Sequence, residues 1–176
     1  MVFKARPSPG PVSLVLTGLV LEILVLLPVV ALSTDRSAHG SVAGVIPVVI
    51  LGTLLAAFFW LLAVWFPTMR YEMGPKALEL RYGPILHYRI ALESIERLSR
   101  RDLSPSLLAS LRLPGIALFA VPYKDVGMVK MCASSAAHGI LLIQTRREMY
   151  GITPELEGEF VSALEARLRH SVPASN

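Results

Sequence analysis

Residues 11–67 are almost unbroken apolar sequence, with Glu22, Asp35 and Arg36 as their only charges. From Leu14 to Leu32 the run LVLTGLVLEILVLLPVVAL is nineteen residues long. As a helix it covers about 28 Å, close to the thickness of a hydrocarbon core. A second run, 42–66, carries no charge and ends among Trp60, Trp65 and Phe66, rings that favour the water–lipid boundary. The nine-residue link STDRSAHGS between the runs is polar and short. The pattern predicts a transmembrane helical hairpin with spans of about 12–33 and 42–67, preceded by an N-terminal segment of residues 1–10.

From Met69 the pattern changes to alternation. Met69, Tyr71 and Met73 face one way and Arg70 and Glu72 the other; Leu78, Leu80 and Tyr82 then oppose Glu79 and Arg81. After a Gly-Pro turn, Leu86, Tyr88 and Ile90 share a side. This predicts an antiparallel meander with one wet face. ALESIERLSRR fits a helical turn or a strand, and 103–115 reads as a loop with one helical turn at Ser104-Pro105. IALFAVPYKDVG and GMVKMCAS form a hairpin near Asp125-Val126-Gly127, and HGILLIQT and REMYGIT form another around Arg146-Arg147. Seven or eight short strands in all suggest a small barrel or sandwich over residues 68–172. A final helix is expected with Thr153 as N-cap, Pro154 at its first position, and a stripe of Leu156, Phe160, Val161, Leu164 and Leu168.

Charge adds direction. Lys4 and Arg6 precede the first span and Arg70, Lys76 and Arg81 follow the second, whereas the link holds only Arg36. The positive-inside rule then places both flanks, with the β domain, on the cytoplasmic side of the inner membrane. The alternative for the first run is a cleaved signal peptide, with ALS and SAHGS as small residues after it; the run is long for that, and a second span follows directly. Residues 68–176 hold 14 Lys/Arg and 11 Asp/Glu, a mixed surface that gives no reason to expect nucleic-acid binding.

The ending carries a family resemblance. Leu142, Ile143, Thr145, Tyr150, Ile152, Pro154 and Phe160, following two spans and a meander, resemble the bacterial pleckstrin-homology-like (PH-like) domain proteins across residues 69–170. The resemblance implies a partly open antiparallel β-barrel of two orthogonal sheets, capped by the C-terminal helix. Eukaryotic relatives grip phosphoinositides with basic residues at the first hairpin loop. The corresponding turn here, Gly74-Pro75-Lys76, offers one lysine, so that activity is not carried over.

Candidate chemistry is sparse. His39, His87, His138 and His170 are far apart and Cys132 is the single cysteine, so no disulfide within the chain, no zinc cage and no nucleophile–base pair is marked. No nucleotide-binding or hydrolase motif is present, and no cofactor is expected. Glu22, well inside the first span, has no basic partner in either span; its carboxyl is expected to be protonated and hydrogen-bonded to backbone, to Thr17 or to a neighbouring copy. Gly52-x-x-x-Ala56 permits close helix contact. The expected function is therefore a non-enzymatic, membrane-anchored interaction or self-assembly module, with Leu107, Leu108 and Leu111 as candidate partner contacts and the bilayer plus a protein partner or a second copy as its company. Two other readings stay open: an accessory component of a transport or proton-linked system using Glu22, and an anionic-lipid surface sensor using Arg97, Arg100, Arg101, Arg146 and Arg147.

Overall fold

The computed structural model describes residues 1–34, 42–104 and 113–171. They form two compact units, Pro11–Val64 and, together, Met1–Gly10 with Trp65–Asn176. His39, Leu107, Leu108 and Leu111 lie outside the described residues.

The first unit is a helix pair, α1 (Gly10–Thr34) and α2 (Val42–Trp65). Both are long and apolar enough to cross a membrane, and few of their residues are buried. Leu16, Val20, Leu24, Leu51, Leu54 and Leu61 all stand exposed, as expected of helices whose surroundings are apolar on every side. Where the helices touch, small residues admit large ones: Gly18 lies against the Trp60 indole, Gly52 against Val25, and Ala56 is fully buried. The Gly52–Ala56 pair is thus used inside the hairpin itself.

The second unit holds nine strands in two sheets among the described residues. One sheet runs in the order β1 (Val2–Lys4), β2 (Arg70–Met73), β3 (Ala77–Tyr82), β4 (Leu86–Ala91). The predicted meander is there, with Tyr71 opposite Leu80 and Leu80 opposite Tyr88. Its new member is β1: Val2, Phe3 and Lys4 pair with Glu72, Tyr71 and Arg70. The outer edge of β1 is covered in turn, because Ala5 bridges to Pro154 and the N–H of Glu155 donates to Lys4 O at 3.0 Å.

The other sheet has the order β5 (Ile95–Arg101), β8 (Ile140–Thr145), β9 (Met149–Ile152), β7 (Gly127–Ala133), β6 (Ala117–Tyr123). The ambiguous 91–101 segment resolves into both candidates, a 3₁₀ turn at Leu92–Ser94 followed by β5. One pairing departs from the all-antiparallel expectation: β7 and β9 run parallel, Lys130 opposite Tyr150. The β8 run Ile140–Ile143 is buried throughout, so this strand is covered on both faces and reads as continuous rather than alternating apolar sequence. The two sheets do not close into a barrel.

The C-terminal helix α3 spans Glu157–Ser171, starting later than the Thr153-Pro154 signal suggests. The hydroxyl of Thr153 does not cap it. Instead it accepts the N–H of Ser134 at 2.7 Å and lies 2.9 Å from the Ser134 hydroxyl, with both residues buried. Leu156 stands exposed ahead of the helix, while Phe160 and Leu164 are fully buried. The Phe160 ring meets Phe3 edge-on at 5.2 Å and Tyr71 at 6.2 Å, and Arg167 donates to Gly74 O. The helix therefore covers the sheet that contains β1 and β2.

Candidate functional site

The β8–β9 turn presents two consecutive arginines on a rigid frame. Thr145 and Glu148 close it three times: Thr145 N–H to Glu148 O at 2.9 Å, Thr145 hydroxyl to Glu148 O at 2.8 Å, and Glu148 N–H to Thr145 Oγ1 at 3.1 Å. Arg146 and Arg147 occupy the two positions between, exposed. They face a cleft of about 490 Å³ whose other wall is the end of β4, with Arg89, Ile90, Ala91 and Ser94, and whose lining includes Tyr150. Arg146, Arg147 and Glu148 from one sheet thus share a concavity with Arg89 from the other.

Glu148 also lines the cleft, and its carboxylate is engaged by two neighbours. Lys130 Nζ contacts it at 2.5 Å and the Tyr150 hydroxyl donates to it, and these two bonds hold its carboxyl below the usual carboxylate range. Lys130 also lies 5.7 and 5.9 Å from the Tyr88 and Tyr150 ring centroids, within cation–π range. Burial, then the hydrogen bond to Glu148, pushes the Tyr150 hydroxyl well above its ordinary value, which suits a structural donor and not a proton acceptor near neutral pH. On the β4 side, Glu79 sits directly across the ladder from Arg89. Its carboxylate goes elsewhere, to Arg81 at 2.6 Å and His87 at 3.2 Å.

Of the five arginines singled out from sequence, only Arg146 and Arg147 line this cleft. Arg97, Arg100 and Arg101 lie exposed along β5. Arg100 is drawn toward Glu157 at 3.7 Å, which Arg6 also approaches at 3.5 Å. Arg89 was missed because alternation assigns it to the wet face of the meander beside His87; only the fold carries the β8–β9 turn to it. Lys76 lines a separate concavity with Pro75, Leu92 and Glu93.

Glu22 lies in α1 between the two close contacts of the hairpin, Gly18–Trp60 and Val25–Gly52, half-buried and without an ion pair among the described residues. The Thr17 hydroxyl, considered as its partner, donates to Ser13 O at 2.8 Å. Cys132 is fully buried, and burial pushes its thiol up to about 12, so it is inert at neutral pH. Among the described residues no group of three or more His, Cys, Asp or Glu is arranged to hold a metal ion.

Comparison with known families agrees with this architecture. The family model described as the bacterial PH domain matches residues 69–168, more than half of the chain. The protein belongs to the bacterial PH domain family, with two helices N-terminal to that domain that are apolar enough to span a membrane. Searches of the curated proteins and of the solved structures return no match.

Proposed function

We propose that this protein is a membrane-anchored, non-enzymatic module that holds its PH-like domain at the cytoplasmic surface of the inner membrane, for interaction with a protein partner or with further copies of itself. The observation that carries the reading is the pairing of β1 with β2. These strands flank the two apolar helices in sequence, and their ladder joins Lys4 to Arg70. Two segments hydrogen-bonded to one another lie on one side of any bilayer, so the chain between them crosses an even number of times. Lys4, Arg6, Arg70, Lys76 and Arg81 then all sit on that side, which the positive-inside rule makes cytoplasmic. Anchoring raises the local concentration of the domain and makes weak contacts effective. Tyr71 and Cys132, both with strongly raised proton affinity, are sealed in the core, out of reach of any substrate.

Single-cysteine labelling tests the reading, and the buried Cys132 leaves a low background. Thiols placed at Lys4 and at Glu165 should react with an impermeant maleimide in inverted vesicles and stay unreactive in intact cells. Labelling of either position from outside intact cells would reverse the orientation, and labelling from opposite sides would break the anchoring scheme.

A further inference from the structure

We propose that the cleft between the end of β4 and the β8–β9 turn binds a phosphomonoester dianion through Arg89, Arg146 and Arg147. This concerns the domain's ligand and does not depend on which way the anchor faces.

Three like charges crowd one concavity, an arrangement that is self-repulsive until an anion enters it. The carboxylates at and near the cleft relieve it only in part, being engaged by other groups. Glu79 is taken by Arg81 and His87, and Glu148 by Lys130 and Tyr150. Arg146 has an acidic neighbour in Glu96, at 3.9 Å on an exposed flank, and Arg147 feels the more distant charge of Glu148; Arg89 and Arg147 make no ion pair within 4 Å among the described residues. The chemical class follows from the donors. Guanidinium forks bind phosphate oxygens in pairs of parallel hydrogen bonds, and two or three of them match a doubly charged group better than a single carboxylate. The backbone is already fixed, because the Thr145–Glu148 bonds set the turn and Ser94 is tied to Ala91 O at 2.6 Å. Little ordering is then required on binding. The volume, about 490 Å³, suits a phosphate with the small group that bears it. Such a phosphate could come from a soluble ester or from a lipid headgroup, and the cleft chemistry is the same for both.

The test uses the full chain in neutral detergent micelles, titrated with glycerol phosphate in one arm and with micelles doped with phosphatidic acid in another. Phosphatidylglycerol, an anionic phosphodiester, and an unphosphorylated glutamate-rich peptide serve as comparisons. Binding is expected in at least one of the first two arms, and the arm that responds identifies the source. The double variant Arg89→Gln with Arg147→Gln should weaken it by about tenfold or more, whereas Arg97→Gln, outside the cleft, should leave it unchanged. Ligand-free melting midpoints equal to wild type show that these exposed substitutions leave the fold intact. Absence of binding in both arms, equal binding by the double variant, or equally tight binding of the phosphodiester or the acidic peptide would overturn the proposal.

Discussion

The hydroxyl of Tyr71 receives the backbone N–H of Thr153 at 3.2 Å while donating its own proton to Cys132 O at 2.8 Å. One fully buried side chain on β2 thereby ties its sheet to β7 and to the residue that follows β9 in the other. Tyr71→Phe leaves a buried N–H and a buried carbonyl each short of a partner. It should cost about 2 kcal/mol of unfolding free energy, measured by denaturant titration of the full chain in detergent.

Alkaline stability should report the same junction. Burial raises the thiol of Cys132 from 9.0 to about 12, and burial likewise raises Tyr71 above its usual 10.0. Between those limits the folded protein keeps protons that the unfolded chain has lost, so the unfolded state is favoured as pH rises. Stability should be complete below pH 9 and decline progressively from there toward pH 12, with Tyr71 joining above pH 10. Cys132→Ala should move the onset from the thiol range up to the tyrosine range. Denaturation midpoints taken across pH 7 to 11 would show it, and an unmoved onset would assign the decline to other groups.

The chain leading into α1 passes the 113–116 segment at a point with no room for a side chain. Gly115 adopts φ +84°, and a methyl group there would strike the backbone of Gly10. The Ser8 hydroxyl donates to Gly115 O at 2.6 Å at the same place. Gly115→Ala combines left-handed strain with a clash against main chain that cannot rotate away, and should cost about 2–3 kcal/mol. A fall in melting midpoint relative to a Gly158→Ala control, where a methyl group meets nothing, checks this.

Inside the hairpin, Gly52→Leu should separate α1 from α2, because the Val25 side chain already occupies the space. Overpacking of this kind costs about 1–3 kcal/mol. Cysteine crosslinking between the helices, efficient in the parent chain, should fall, and Val25→Ala should partly restore it for a smaller Gly52→Ala change.

Glu22→Gln keeps the shape of α1 and removes an ionisable group from its middle. With the Thr17 hydroxyl already committed to Ser13, it should leave membrane integration intact and shift stability by less than about 1 kcal/mol. Proteoliposome proton flux, equal for parent and variant, would end the proton-linked reading.

The elements that could be read from the sequence were those whose causes are local. The meander from Met69 to Ala91 declares itself because one of its faces is wet and both of its turns are marked by Gly-Pro, just as Asp125-Val126-Gly127 marks the turn between β6 and β7. β1 could not be read that way: three residues carry no periodicity, and their partner lies beyond both helices. Thr153-Pro154 has the chemistry of a helix start, but tertiary pairing with Ser134 and Ala5 claims it first. The parallel β7–β9 contact is likewise non-local. At the candidate cleft, Arg146 and Arg147 stood out as a charged turn. Arg89 did not, since what makes it part of a site is a neighbour more than fifty residues away.

Since β1 precedes the two apolar helices and β2 follows them, the helices are an insertion within the β-fold and not a stalk fused to its end. A fragment starting at residue 69, where the family match begins, would retain α3 yet strip Phe3 from Phe160 and bare the flank of β2, an open edge prone to association. Separating the helices from the β domain therefore means dismantling a sheet, and a piece of this molecule that keeps its architecture still carries both apolar helices.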